Sequence, residues 1–494
     1  MSTKPLTDYF KQRDIEHAEK GLGQYTVVLL LVALGFSGVA LAGSVVYPWR
    51  AAPTIVRTGD KFQIMFKAKE GEVIAGITLQ GPYQKIDIPA GNVTSKRGDF
   101  SYDPSLDVKY SLKVEAIVPA GSPADVYDLA IRTNRREVVS KHSVNVISQY
   151  RKRYTIVHIT DTHMARNWIG NLETGYPPGL EHLAKIMEVA NIIAPDIVVV
   201  TGDNIVNFNR NPELAEPGTA RKWECFYEGS GGYAGIFGFQ APAFAVPGNH
   251  DCGVGVTDRT KSVRQYIELN GLRSFGFSYG TTRFIACDDV LGGYRDKQDI
   301  PMQFSALDAY LNKAGAGQMR ILLTHHPLKK ESLSVPAEFR HAFLDKHKIQ
   351  LVLNGSAHRN RETFWGTTPT LELTTKNSGI IDRDPGWFRV LVIEGDKILM
   401  NQSLRYGDNV KKTALLNLDY QAPNDGSDTR NKATITNQFD MAFPSCHVRF
   451  LMKPGKYRVT GGIIEQSFNA GDVTVYDVRL PVSAHGKATV TIWK

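Results

Sequence analysis

Gly248-Asn249-His250-Asp251 follows a short apolar run, Phe244–Val246, and its reading decides the fold. Four other groups stand in the same relation to apolar runs. Asp161-Thr162-His163 follows Thr155–Ile159, and Gly202-Asp203 follows Ile197–Val200. His325-His326-Pro327 follows Ile321–Leu323, and Gly355-Ser356-Ala357-His358 follows Leu351–Leu353. Runs this short and apolar, bounded by turn residues, read as buried strands. Side chains at the carboxyl ends of strands in one sheet share a rim, where open α/β folds bind ligands. Aspartate, asparagine and histidine gathered on that rim are oxygen and nitrogen donors suited to borderline divalent metals.

The chain between these groups alternates strand and helix patterns. Leu180, Leu183, Met187, Ala190 and Ile193 recur at helical spacing until Pro195-Asp196 ends the pattern. Ile197–Val200 then completes a strand-helix-strand unit with parallel strands. Further helices are expected at Ser262–Leu269, Phe304–Ala314 and Ala337–Lys346, and a late strand at Phe388–Ile393.

The order D-x-H, G-D, G-N-H-D, H, G-x-x-H resembles the calcineurin-like metallophosphoesterase superfamily, with a domain of the purple-acid-phosphatase kind. The resemblance covers roughly Thr155 to Ile393. It implies a four-layer α/β/β/α sandwich holding two divalent ions, of manganese, iron or zinc. By the same resemblance Asp161, His163 and His358 hold the first ion, Asp203 bridges, and Asn249 and His325 hold the second. His250 is similar in position to the family's non-ligand histidine, which contacts the phosphate and protonates the leaving oxygen, and Asp251 is expected to orient it. One departure stands out: family members usually carry a second histidine where this chain has Ser356. A hydroxyl is a poor substitute for imidazole, so the second ion is expected to bind more weakly. His326 and His341 are the candidates to compensate.

Taken singly, each residue has a duller reading. Asp203 suits a turn and Asn249 an Asx-turn, while His158 and His326 read as core residues beside the motifs. The five groups in order outweigh these separate readings. Phosphate esters resist attack because their anionic oxygens repel a nucleophile, and a pair of divalent ions neutralises those oxygens. The expected activity is therefore metal-dependent hydrolysis of phosphate mono- or diesters. The alternative is a surface binding or adhesion protein built on a degenerate phosphoesterase domain.

The expected organisation is a multi-domain α/β chain. It runs from an N-terminal segment (1–24) and a transmembrane helix (25–47) to a β-sandwich (50–149), the phosphoesterase domain (150–400) and a C-terminal β-sandwich (410–494). Phe62–Phe66, Tyr110–Val118, Tyr127–Thr133 and Ser143–Ile147 are short alternating runs in the first sandwich. Phe450–Met452, Tyr457–Thr460, Val473–Leu480 and Thr489–Trp493 play that part in the second. Within the central domain, Asn204–Gln240 is a long insertion with a Gly-rich aromatic tip, 229–239. It is read as a wall of the active site or as a surface loop.

Tyr25–Tyr47 carries no charge and is long enough to cross a bilayer as a helix, with Tyr25, Tyr47 and Trp49 as an aromatic belt. Ala40-Leu41-Ala42 resembles a signal-peptide cleavage site, but the long charged segment before the apolar run favours a retained anchor. Basic residues on the two sides nearly balance, and the sandwich modules tip the orientation toward an extracytoplasmic catalytic portion. The net charge of +8 comes from scattered residues, without the aromatic-interleaved basic stripe of a nucleic-acid binder. Cys225, Cys252, Cys287 and Cys446 have no C-x-x-C spacing; Cys225 and Cys252 either pair outside the cell or remain free thiols.

Overall fold

The computed structural model describes residues 44–494 except 103–107, 165–177, 208–217, 253–258, 291–306, 309, 313–317, 329–342, 366–369 and 380–383. Its central domain is built on strands β1 (Arg153–Ile159), β2 (Ile197–Thr201), β3 (Ala243–Val246), β4 (Phe275–Tyr279), β5 (Thr282–Ala286), β6 (Arg320–Leu323), β7 (Leu351–Asn354), β8 (Arg361–Trp365), β9 (Thr370–Thr374), β10 (Trp387–Glu394) and β11 (Lys397–Arg405). They form two sheets, ordered β3-β2-β1-β10-β11 and β4-β5-β6-β7-β9-β8. In the first, β1, β2 and β3 run parallel and β10 antiparallel to β1. In the second, β5, β6, β7 and β9 run parallel, with β4 and β8 antiparallel at the edges.

All five residues of β2 are buried, as a strand covered on both faces requires. Ile156, Val199 and Phe244 of the first sheet pack against Phe284, Ile321, Leu351 and Leu373 of the second. Phe244 stacks on Phe277 with ring centroids 3.6 Å apart. The outer face of the second sheet, through Ile285, Leu322 and Val352, is covered by Leu307, Leu311, Phe343 and Leu344 from helical stretches. On the first sheet lies helix α1 (Pro178–Ile193), whose Leu183, Ile186 and Val189 are in the core with Val157, Val198 and Val200. The layers are therefore helix, sheet, sheet, helix.

Helix α1 is largely apolar outside the stripe of Glu181, Lys185 and Glu188, and its packing explains why. Its far side meets the C-terminal sandwich, so that Phe443, Cys446, Val448 and Leu480 share one core cluster with Leu183 and Met187. Helix α2 (Thr219–Tyr227) lies in the insertion, and α3 (Arg259–Asn270) contains the helix expected at Ser262–Leu269. The helices expected at Phe304–Ala314 and Ala337–Lys346 fall partly outside the described residues; 343–347 is helical.

Each flanking module is a pair of sheets. The N-terminal one has a four-stranded and a five-stranded sheet closed over Phe62, Ile64, Val114, Leu129 and Val144. The C-terminal one has a four-stranded and a three-stranded sheet.

One sequence expectation changes here, and two readings left open are narrowed. The stretch Tyr25–Tyr47 lies outside the described residues up to Gly43, but its end, Val45–Tyr47, is a strand. That strand pairs antiparallel with Lys61–Phe66, Val45 opposite Phe66, and Val45 is buried in the sandwich core. The apolar character of these residues thus serves a protein interior, and the sandwich begins before residue 50. Trp49, expected in an aromatic belt, is 2% exposed and lies against Gly271 of the central domain. Among the described residues no helix is long and apolar enough to cross a membrane.

The Gly-rich tip of the insertion is an interdomain wedge, while the start of the insertion, Val206 and Asn207, borders His250. Trp223, Phe226, Tyr227, Ile236 and Phe239 are buried. The carbonyl of Phe239 bonds to His142 Nε2 at 2.8 Å, and the His142 ring stacks on Phe237, tying the tip to the N-terminal sandwich. Gly229, at φ 92°, lets the tip fold back, since a Cβ there would lie 1.9 Å from the Tyr233 carbonyl oxygen. Finally, all four cysteines are free and buried, so the Cys225–Cys252 bridge is not formed. The Cys252 thiol instead donates to the Gly248 carbonyl at 3.3 Å.

Candidate metal centre

Five loops at the carboxyl ends of β1, β2, β3, β6 and β7 meet over the seam between the two sheets. Their backbones are unusual. Asp161, His163, Asp203, Ser356 and His358 all have φ between 43° and 61°, in the left-handed region. Such residues cost energy and gather at functional sites. Here the turns re-aim side chains that would otherwise follow the strand pleat.

The loop after β1 supplies Asp161 and His163. Asp161 Oδ2 accepts from Thr160 Oγ1 at 2.8 Å and from the Ser356 backbone amide at 2.9 Å. This leaves Oδ1 facing His163 Nε2 at 3.7 Å and His358 Nε2 at 3.2 Å. Asp161 Oδ1 and both ring nitrogens of His163 are buried without a hydrogen-bond partner. Buried polar atoms seldom go unpaired, and a site built for an ion is one explanation.

Asp203, after β2, lies between the two halves of the site. Its Oδ1 accepts from the His250 backbone amide at 2.8 Å. Its Oδ2 is 3.3 Å from His325 Nε2, 3.7 Å from His163 Nε2 and 4.0 Å from His250 Nε2. Gly248 permits this approach, because a Cβ there would sit 2.0 Å from the Asp203 amide nitrogen. Asn249 Oδ1 reaches His325 Nε2 at 3.1 Å. His325 Nδ1 lies 2.8 Å from the Thr201 carbonyl, which only accepts, so Nδ1 carries a proton there and Nε2 is the nitrogen turned to the site.

Three overlapping triads follow: Asp161 with His163 and His358, His163 with Asp203 and His250, and Asp161 with Asp203 and His325. Within each, the donor atoms lie within 4.8 Å of one another. The field is strongly negative. Burial alone would lower the imidazole of His325, but Asp203, Asp161 and Asp289 overcome it and raise its pKa to about 10. Burial likewise opposes the charge of Asp161 and Asp203, yet the surrounding imidazoles hold both carboxyls well below the usual range. Orphaned imidazole and carboxylate atoms beside carboxylates that stay ionised together fit divalent cations.

The remaining expected residues fall into three positions. His250 is half-buried, with Nδ1 at 2.5 Å from the Val206 carbonyl and 3.1 Å from Asn207 Oδ1, which turns Nε2 toward Asp203. Asp251 does not orient it. Fully buried, Asp251 accepts from Asn204 Nδ2, the Ile205 amide and the Gly248 amide at 2.7–2.9 Å, tying the β2 and β3 loops together. Ser356 is half-buried, two residues before His358. His326 Nδ1 faces Asp289 Oδ2 at 3.4 Å, and His341 lies outside the described residues.

Sequence reasoning missed Asp289, which accepts from the backbone amides of both His325 and His326 at 3.2 and 2.9 Å. It stands just past the carboxyl end of β5, and the rule that found the other groups would have reached it. Asn207 had no such signal, since its role depends on how the insertion leaves the site.

Residues 154–360 match the calcineurin-like phosphoesterase family, so the central domain is a calcineurin-like phosphoesterase domain. No curated protein matches the chain. Among solved structures, a calcineurin-like phosphoesterase, YfkN from Bacillus subtilis, is 12% identical over 51% of this chain and 90% of that one, with a TM-score of 0.28. A conserved Streptococcus pneumoniae protein described as a predicted phosphoesterase is 12% identical over 51% and 98%, with a TM-score of 0.22. Vps29 complexed with zinc, from Entamoeba histolytica, is 11% identical over 51% and 97%, with a TM-score of 0.19.

Proposed function

We propose that this calcineurin-like phosphoesterase domain hydrolyses phosphate mono- or diesters, using divalent cations held by the six donors on its rim. The observation that carries the reading is the buried, unpartnered state of Asp161 Oδ1 and both nitrogens of His163 at the meeting point of five loops. Asp161, His163 and His358 would hold one ion, Asn249 and His325 a second, and Asp203 would face both. Such a pair supplies charge neutralisation at the phosphoryl oxygens and an activated water at neutral pH. The chain's own contribution is placement. Thr160 and Ser356 fix the Asp161 carboxylate, Thr201 orients the His325 ring, and the Val206 carbonyl, by accepting from His250 Nδ1, turns Nε2 toward the place of the substrate phosphate.

A second reading has one observation in its favour. Ser356 offers a hydroxyl where the family usually offers imidazole, which suits a binding or adhesion protein on a degenerate domain. We further infer that the chain is tethered by its apolar segment, now bounded at Gly43, with the catalytic domain outside the cytoplasm. The composition of 25–43 supports the tether, since about 20 apolar residues span a bilayer.

Metal analysis of the purified full chain, run beside hydrolysis of a generic aryl phosphate, tests the catalytic reading. Stoichiometric divalent metal with chelator-sensitive turnover is the expected result. Metal without turnover across mono- and diesters would favour the binding protein. Protease protection in sealed vesicles tests the orientation.

A further inference from the structure

The N-terminal sandwich ends in a rigid, cation-rich face. Glu72 is buried there, and its carboxylate accepts from Arg136 Nε at 2.8 Å, Thr133 Oγ1 at 3.0 Å and the Lys69 amide at 2.8 Å. Its carbonyl accepts from Arg97 Nη2. Asn134 completes the knot, bonding to the Val73 amide and the Gly71 carbonyl at 3.1 Å each. Loops 67–73 and 133–136 are thus locked together; they present Lys67, Lys69, Glu70 and Arg135 to solvent, and the strands Val93–Ser101 and Asp125–Thr133 add exposed Arg97 and Arg132. Among the described residues none of Lys69, Arg97, Arg132 and Arg135 forms an ion pair, whereas Arg136 is consumed by Glu72. Val73, 55% exposed, is an apolar point within this basic surround.

The position of this face is as informative as its charge. The first described residue, Ser44, accepts from the Lys67 amide at 2.6 Å through its carbonyl. Ser44 thus stands against the loop that carries Lys67 and Lys69, and the apolar segment 25–43 directly precedes it in sequence. We propose that this face docks on the anionic phospholipid headgroups of the bilayer that holds the segment. This rests on the tethered reading above. Docking would fix the orientation of the whole chain on its membrane, because the sandwich is locked to the central domain through Trp49 and His142. Basic residues near an anionic leaflet strengthen partition by roughly five-fold each, and the effect falls away within a Debye length of about 8 Å at physiological salt.

The test uses the full chain mixed with vesicles of phosphatidylcholine alone or with phosphatidylglycerol added. Val73→Cys carries a fluorescent label, which is selective because the native cysteines are buried. Quenching of the label by headgroup-attached nitroxide is expected only with phosphatidylglycerol, and it should vanish in high salt. The combined variant Lys69→Glu, Arg97→Glu, Arg132→Glu, Arg135→Glu should reduce the quenched fraction at least about ten-fold. Carbonate extraction reads the tether separately. Carbonate-resistant chain whose label is equally quenched, or equally free, on both lipids overturns the docking face and leaves the tether standing. Carbonate-extractable chain that still binds phosphatidylglycerol in a salt-sensitive way upholds the face and overturns the tether. Loss of quenching in the variant counts only if its circular dichroism and unfolding midpoint match the wild type. If they do not, the single changes Lys69→Gln and Arg135→Gln, which spare the Glu72 knot, decide by a graded loss or its absence.

Discussion

His325 and Thr201 join the two sheets at the site: the Nδ1–H of His325, just past β6, donates to the carbonyl of Thr201 at the end of β2, 2.8 Å away. A ligand carried by one sheet is thereby oriented by the other, so the seam between sheets, and not a single loop, sets the geometry. Outer partners of this kind shift metal affinity about 10–100-fold.

Asp203 is the first point at which this geometry can be tested, because its Oδ2 faces three imidazoles. Asp203→Asn is nearly isosteric and keeps an acceptor for the His250 amide. It should abolish turnover and lower metal content while leaving the circular dichroism spectrum unchanged. A variant that keeps most of its rate would remove Asp203 from the centre of the reaction.

Asp251 should behave differently. It accepts three hydrogen bonds from two loops in full burial, so Asp251→Ala strands three donors. The expected cost is about 2–4 kcal/mol, read as a lower urea midpoint. Metal content should fall with it, because Asn204 and Gly248 flank the ligands. Unchanged stability with lost turnover would instead return Asp251 to a chemical role.

His250→Asn separates placement from binding. If Nε2 meets the phosphate and not an ion, turnover should drop roughly 10²–10⁴-fold with metal content unchanged. Metal loss would make the triad of His163, Asp203 and His250 a coordination set.

The centre itself was legible because its residues sit just past apolar runs, and strand ends converge by geometry alone. What the runs do not encode is which partner each side chain finds. Asp251 adjoins His250 in sequence, yet the chain turn directs its carboxylate to Asn204, while His250 turns to Val206 and Asn207. Val45–Tyr47 was misread for a related reason: apolar residues look alike whether a sandwich core or lipid receives them. The docking of the Gly-rich tip was not legible because its partner, His142, lies far away in sequence.

Glu72 gives a pH prediction away from the centre. The hydrogen-bonded guanidinium of Arg136 holds its carboxyl at about 2, below its ordinary value of 4.5. A depressed carboxyl contributes stability above its unfolded pKa and loses it as pH falls through the folded one. The knot should therefore be intact from neutrality to about pH 4.5 and weaken between there and about pH 2. The unfolding midpoint of Glu72→Gln should lie below that of the wild type at pH 7, with the gap closing across that window. A gap independent of pH would mean that the carboxylate charge contributes nothing.

Ser356 offers the sharpest case. Its backbone amide already serves Asp161 Oδ2 at 2.9 Å, so the residue is needed whatever its side chain. Its φ of 61° does not forbid histidine, since His163 and His358 adopt the same region in the same site. Ser356→His therefore keeps the amide contact and adds one neutral nitrogen on the rim. The half with Asp161, His163 and His358 has its donors already, whereas the half with Asn249 and His325 has fewer. Wild type should accordingly retain one ion through dialysis and need added metal for the other. The variant should tighten the weak ion and raise turnover at limiting metal, with the tight ion unchanged. Calorimetric titration of metal into chelator-treated protein reads both sites at once. Two equally tight ions in the wild type would mean that another residue fills the place of the missing imidazole. His326 is the nearest candidate, its ring 4.8 Å from that of His325, and releasing it from Asp289 would be the next change to make.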